Sequence, residues 1–263
     1  MDLGIRGKTA IVQASSKGLG YGVARALSRE GVNLVMNART KSEVFAAAAQ
    51  LQEETGNSVH AVAGDVSRHQ DLLNLFRECR QTFGDPHILV CNAGGPPRGH
   101  FADFNRQDWN SALQNNFTSA VTAVNQVVKP MLKNGWGRIL FITSIAVKQP
   151  INDLVLSNSA RSALTAYAKT IATDLAPNGI TVNCLLPGAH RTSRLGQLVQ
   201  DIVEEDGCSI EEAWDKLGTH APIGRLGDID EFGSLAAYLC SRQAAYITGT
   251  SILHDGGAFK GLF

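Results

Sequence analysis

A glycine pair, Gly18 and Gly20, stands where an apolar run, "KTAIV", gives way to a helical pattern, "GYGVARALSREG". Glycine lets a backbone approach a pyrophosphate closely, and a helix N-terminus offers unpaired N–H groups with positive potential. Lys17 lies inside this loop, and Arg39 follows the second apolar run in "MNART". In a dinucleotide fold the second strand ends at the adenine ribose. An acid there accepts from the ribose 2′-OH, whereas a cation suits a 2′-phosphate. Asn37, Ala38 and Arg39 place a cation and no acid at that point, so the residues favour NADP(H) over NAD(H).

These residues need a scaffold, and the chain supplies one pattern throughout. Short apolar runs at 8–12, 33–37, 58–63, 87–92, 138–143, 181–186 and 251–254 read as strands. Helical segments begin at Gly18 and cover about 41–54, 69–83, 105–132, 155–175 and 228–240. The apolar runs are nearly continuous, as strands covered on both faces must be. Alternation of β and α elements predicts an α/β fold, a Rossmann-like doubly wound parallel sheet in a single domain spanning 1–263. Ligands of such sheets bind beyond the carboxyl ends of the strands. Residues 188–227 break the alternation with helical pattern and no strand, and are expected to form a substrate lid.

Composition narrows the function. The 263 residues carry 24 Lys+Arg against 24 Asp+Glu. There is no net charge to draw nucleic acid or an anionic membrane, and no apolar run is long enough to span a bilayer. The N-terminus does not read as a signal peptide. Five scattered cysteines without CxxC spacing predict reduced thiols and a cytoplasmic protein, with no disulfide or metal framework. The expected partner is a small molecule.

Several further stretches resemble one family, the short-chain dehydrogenases/reductases, and within it the bacterial 3-oxoacyl-[acyl-carrier-protein] (β-ketoacyl) reductases. "QASSKGLG" (13–20) is similar to TGxxxGxG, with Gln13 for Thr and Ala14 for the first Gly. "GDV" ends at Val66 as in the Asp-Val step. "CNAGG" resembles NNAG, "LLPGAHRT" resembles PGxxxT, and "HDGG" resembles the family's DGG ending. The resemblance covers nearly the whole chain. It implies that Ser15, Ser16, Lys17, Gly18, Leu19, Gly20, Arg39, Asp65, Val66, Asn92, Ala93, Gly94, Pro187, Gly188 and Thr192 hold the nicotinamide cofactor. It also implies a homotetramer.

The family's chemistry uses Asn, Ser, Tyr and Lys. The resemblance places the Asn at Asn116 and the Ser at Ser144. The expected Tyr falls on Ser157 and the Lys on Arg161, within "SNSAR" (157–161). Tyr167 and Lys169, ten residues on and two apart, point to different helix faces and do not replace the pair. A serine hydroxyl is a weak acid, and arginine stays protonated. Arginine can still hold ribose hydroxyls and supply positive potential, so Arg161 is expected at the cofactor as well as in the chemistry.

Three readings stay open. The first is hydride transfer to or from a small carbonyl or hydroxyl, the proton handled by Ser144, Ser157, a water or a side chain such as His190, with His220 and Lys148 behind it. The second is reduction of a conjugated C=C, whose enolate oxygen needs hydrogen bonds and positive potential more than an acid. The third is a nucleotide-binding subunit or sensor without turnover, against which the intact nicotinamide end argues.

Overall fold

The computed structural model describes residues 1–262. Seven strands, β1 (Thr9–Val12), β2 (Asn33–Ala38), β3 (Val59–Ala63), β4 (Ile88–Cys91), β5 (Gly137–Ile142), β6 (Ile180–Pro187) and β7 (Ser251–His254), form one parallel sheet. Its order is β3-β2-β1-β4-β5-β6-β7. The order reverses between β1 and β4, which opens a crevice beyond their carboxyl ends.

Period-two alternation divides the apolar runs between two helix layers. Ala10, Val12, Leu34, Met36, Val90, Leu140 and Ile142 pack on one face with α1 (Gly18–Arg29), α2 (Lys41–Thr55) and α9 (Ile229–Leu239). Ile11, Val35, Leu89, Cys91, Ile139 and Phe141 pack on the other with α3 (His69–Phe83), α5 (Ser119–Asn134) and α6 (Val155–Leu175). Because both faces are covered, the strands read as unbroken apolar runs rather than alternating ones. Two glycines bring α1 and α9 together: a Cβ on Gly22 would lie 2.2 Å from Ile229 O, and one on Gly233 2.2 Å from Gly22 O.

The helix expected over 105–132 is three pieces. α4 (Arg106–Leu113) starts at Asn105, whose side chain accepts from Gln107 N and Asp108 N. A π-helical turn over Gln114–Thr118 follows, then α5. Such a turn inserts a residue into the helical ladder and is frequent at functional sites. The apolar periodicity crosses it, which is why the sequence reads as one helix.

Residues 188–227 hold α7 (Gly196–Asp206) and α8 (Ile210–Gly218). These pack on each other through Val199, Ala213 and Leu217, a cluster separate from the main core. The segment is pinned at its base: Gly227 N donates to Ala189 O, and Arg191 N donates to Gly227 O, each at 3.0 Å. Four cysteines are buried and Cys208 is partly so, all as free thiols. Burial pushes the Cys79, Cys184 and Cys240 thiols up to about 12 and raises Cys91 as well, which leaves them unreactive. No helix among the described residues is long and apolar enough to cross a membrane.

Candidate active site

A cleft of about 490 Å³ runs along the carboxyl ends of β1, β2, β4, β5 and β6. Its first wall is the turn between β1 and α1. Ser16, Lys17, Gly18 and Leu19 line it. No side chain caps the N-terminus of α1 and its first turn carries no acid, so its N–H groups are open to an anion. Gly18 turns at φ +61°, with Thr192 of the opposite wall 3.6 Å from where its Cβ would be. A side chain on Gly20 would meet Ala14 O at 2.3 Å and Asn92 Nδ2 at 2.8 Å. Gly20 therefore shapes the turn from beneath and is not part of the cleft lining. Ser15 is fully buried. Its hydroxyl donates to Val12 O at 2.8 Å and its backbone N–H to Asn37 O, so its side chain braces the turn and does not face the cleft.

Ala14, standing where the family has glycine, adopts φ +46°. This left-handed region costs a residue with a Cβ about 1–2 kcal/mol. Asn92 Nδ2 donates to Ala14 O at 3.1 Å and ties the strained turn to β4.

At the β2 end lie Asn37, Ala38, Arg39, Asp65 and Val66. Arg39 is exposed. Lys17 is paired with Glu43 at 3.4 Å, and Ser16 Oγ also donates to Glu43. Glu43 was absent from the sequence expectation because it sits on α2, five residues past the strand end. Only the fold of α2 against the β1 turn brings it to Lys17. Asp65 Oδ1 accepts from Ser67 N and Ser67 Oγ, so Asp65 organises its own loop as well as lining the cleft.

The other end of the cleft holds Asn92, Ala93, Gly94, Ser144, Ser157, Arg161, Pro187, Gly188 and Thr192. Ser144 begins a short 3₁₀ turn after β5, and its Oγ accepts from Ala146 N at 3.1 Å. Ser157 and Arg161 are four residues apart on α6, one turn, and so share a helix face. They are 5% and 8% exposed. Arg161 Nη1 donates to Ile142 O at 2.8 Å and Thr143 O at 2.9 Å, and Nη2 donates to Ala93 O at 3.3 Å. Three of the five guanidinium N–H groups are thereby spent on backbone, which fixes the group while two donors stay available. Its pKa is lowered to about 10 by burial and then by the charge of Arg194. At neutral pH it remains a cation.

Asn116 does not reach the wall. It lies buried in the π-helical turn, its Nδ2 donating to Ala112 O at 3.2 Å, and Asn115 lines the cleft instead. The local underwinding decides this, since an extra residue in the turn rotates neighbouring side chains to a different bearing.

Among the described residues, no tyrosine lines the cleft. Tyr167 packs edge-on against Phe117 and Phe141, with ring centroids 6.1 and 6.3 Å away, and burial raises its pKa. Lys169 Nζ donates to Gly249 O. Of the alternative donors, His220 and Lys148 are absent from the lining. His220 is exposed, and Lys148 lies over the Phe259 ring. His190 does line the cleft, but both ring nitrogens are engaged: Nδ1 with Gly188 O at 3.1 Å and Nε2 with His254 Nδ1 at 2.9 Å. A carbonyl only accepts, so Nδ1 carries the proton and Nε2 accepts from His254. Burial, foremost, lowers the His190 pKa.

Arg194 is a further cation at this end, again missed by motif matching. It projects from the segment after β6 and donates through Nη1 to Gly95 O and Nη2 to Pro96 O, at 3.2 and 3.3 Å. Nothing local in "RTSRLG" or "GGPPRG" signals that these two stretches meet.

Comparison with known proteins agrees with this architecture. The family profile described as Enoyl-(Acyl carrier protein) reductase matches residues 13–258. The NADPH-dependent reductase BacG of Bacillus subtilis (strain 168) is 30% identical over 256 residues, 97% of this chain and 99% of that protein. Dehydrogenase/reductase SDR family member 4 of Homo sapiens is 34% identical over 251 residues, 95% of this chain and 87% of that one. Among solved structures, L-sorbose reductase of Gluconobacter frateurii, complexed with NADPH and L-sorbose, superposes with a TM-score of 0.95 at 30% identity over the full length of both chains. The profile match and these full-length likenesses establish that the chain is a member of the short-chain dehydrogenase/reductase family.

Proposed function

We propose that this protein is an NADP(H)-dependent reductase acting on a small carbonyl-bearing substrate, through a site in which Ser157 and Arg161 replace an acid–base pair. The observation that carries the reading is the continuity of one cleft from the open N-terminus of α1, past Arg39, to Ser144, Ser157 and the fixed cation Arg161. The glycine cradle at Gly18 and Gly20 and the uncapped helix suit a pyrophosphate. Lys17 and Arg39 suit a 2′-phosphate, in keeping with the NADPH dependence of BacG and the NADPH complex of L-sorbose reductase. Bound there, NADPH supplies a hydride.

The chain's own residues then have separable tasks. Gly18, Gly20 and Asn92 hold the turn that receives the cofactor phosphates. Arg161 directs its two remaining donors into the cleft, toward ribose hydroxyls and developing negative charge. The Ser144 and Ser157 hydroxyls donate to the substrate oxygen. Pro187, Gly188 and Thr192 form the wall against the nicotinamide. Residues 188–227, pinned at Ala189 and Gly227, act as the substrate lid. The homotetramer and cytoplasmic location belong to the same reading; light scattering on the purified protein tests the former.

One observation favours conjugate reduction over direct carbonyl reduction within this reading. Among the described residues the substrate end shows no free general acid: Tyr167 is packed elsewhere, and His190 has both nitrogens engaged. Hydride addition to an enone leaves charge on oxygen that hydrogen bonds and a fixed cation stabilise, while carbon takes a proton from water. Loss of a positioned acid costs a simple ketone about 10²–10⁴ in rate.

The test is to incubate the protein with NADPH deuterated at its transferable position and a panel of ketones, β-ketoacyl thioesters and enones. Deuterium in a product, read by mass spectrometry, is expected, and its position separates the β-carbon of an enone from a carbinol carbon. Cofactor binding with no label in any product class would overturn the enzyme reading in favour of a binding subunit.

A further inference from the structure

The charge at the substrate end is one-sided. The carboxylates lining the cleft, Glu43 and Asp65, both lie at the β2–β3 end, beside Lys17 and Asn37. The opposite end carries two guanidinium groups, Arg161 and Arg194, close enough that the charge of Arg194 adds to burial in lowering the Arg161 pKa. Arg194 is itself lowered by desolvation and then by Arg98. The third arginine, Arg98, is answered by Asp153, with Nε donating to Oδ2 at 2.7 Å. Among the described residues, Arg194 donates to the carbonyls of Gly95 and Pro96. Those bonds use two of its five N–H groups and leave three.

The seat of Arg194 is shaped for it. A Cβ on Gly95 would lie 2.3 Å from Nη2, so a side chain there would push the guanidinium from this position. The loop that carries Gly95 is in turn fixed: Gly99 N donates to Asp153 O at 2.7 Å, and Gly99 bridges Leu154. A planar cation held on two carbonyls, with donors to spare and no carboxylate opposite among the described residues, is arranged to receive a planar anion.

We propose that Arg194 is a specificity-determining residue that pairs with a carboxylate on the substrate, so that the protein acts on an oxo or enone acid rather than on a neutral ketone. The inference rests on the reductase reading above. It places the substrate between two arginines of different roles: Arg161 at the reacting oxygen and Arg194 at a carboxylate some distance away. The alternative occupant, a cofactor phosphate, is an outcome of the same experiment.

The experiment measures binding to the NADP⁺-saturated protein by calorimetry, with two acid and methyl ester pairs as probes: 4-oxopentanoate, and 3-oxocyclohex-1-ene-1-carboxylate. Each acid is expected to bind about tenfold more tightly than its ester, the scale of one charge-assisted pair. Arg194→Gln should abolish that preference, and Arg194→Lys should retain part of it, since the charge survives and the bidentate fork does not. NADPH affinity of Arg194→Gln should stay within about twofold of wild type. Equal binding of acid and ester, binding of neither, or an acid preference that survives Arg194→Gln would overturn the inference. So would a tenfold loss of NADPH affinity in Arg194→Gln, which would assign the guanidinium to a cofactor phosphate. Failure of the wild-type protein to bind NADPH would instead sink the underlying reductase reading, and is read out in the same titrations.

Discussion

Replacing Arg161 with methionine should separate stability from function. Burial lowers its pKa to about 10, a cost to the charged form of roughly 3 kcal/mol. Against this stand hydrogen bonds to Ile142 O, Thr143 O and Ala93 O. Each contributes a net ~1 kcal/mol, or about 3 kcal/mol together. Methionine keeps the unbranched stem of the side chain, ends short of the guanidinium and removes both sums, so the net change in stability should lie within about 2 kcal/mol of zero. At ~2–4 °C per kcal/mol for a chain of this size, Tm should move by less than about 8 °C. The functional effect should be far larger. Two charged donors not spent on backbone are lost from the cleft wall, each carrying about 1.5–3 kcal/mol, so NADPH affinity or label transfer should fall by roughly 10²-fold. Calorimetry gives Tm, and cofactor fluorescence with deuteride transfer gives the rest. A Tm fall of more than about 15 °C would make Arg161 a structural keystone and refute the balance drawn above. Wild-type affinity and transfer would refute its functional role.

Further outcomes follow from the same geometry. Gly20→Ala places a Cβ 2.3 Å from Ala14 O, so it should destabilise by about 1–3 kcal/mol and weaken NADPH binding; thermal melts and titration check both. Ala14→Gly should relieve the left-handed strain at φ +46°, worth about 1–2 kcal/mol, less the ~0.5–1 kcal/mol entropy of glycine, for a small rise in Tm. Arg39→Ala should raise the Kd for NADPH about tenfold while leaving NADH unchanged, since a 2′-phosphate contact belongs to one cofactor alone. His190 has its pKa lowered by burial. In acid the unfolded chain takes up a proton there before the native one does, so this site's contribution to stability is complete above about pH 6.5 and falls as pH drops below it. His190→Gln should flatten the Tm profile between about pH 5 and 7, and an unchanged slope would argue against it. Finally, Ser157→Tyr with Arg161→Lys should increase label transfer to simple ketones; no gain would mean the pocket no longer suits carbonyl chemistry.

The helices from Lys41, His69 and Val155 begin at the residues where apolar periodicity places them, and the seven apolar runs all become strands. Such elements are legible because burial on a sheet face or helix stripe imposes a local period that the chain must spell out residue by residue. The glycine turn is legible for a similar reason: a close backbone approach excludes any side chain, and only one residue type meets that demand. The joint arrival of Ser157 and Arg161 at the cleft is equally legible, since a fixed spacing on one helix carries both to it.

What the tertiary structure alone decided is which side chains meet across elements. The π-helical turn put Asn115 rather than Asn116 on the wall. Folding brought Glu43 to Lys17 and seated Arg194 on Gly95 and Pro96, 99 and 98 residues away in the chain. It also closed His190 against His254, occupying the histidine that lines the cleft. None of these pairings has a local signature. They depend on the angles at which separate strands deliver their loops to a common edge, and those angles come from packing summed over the whole sheet rather than from any short run of residues.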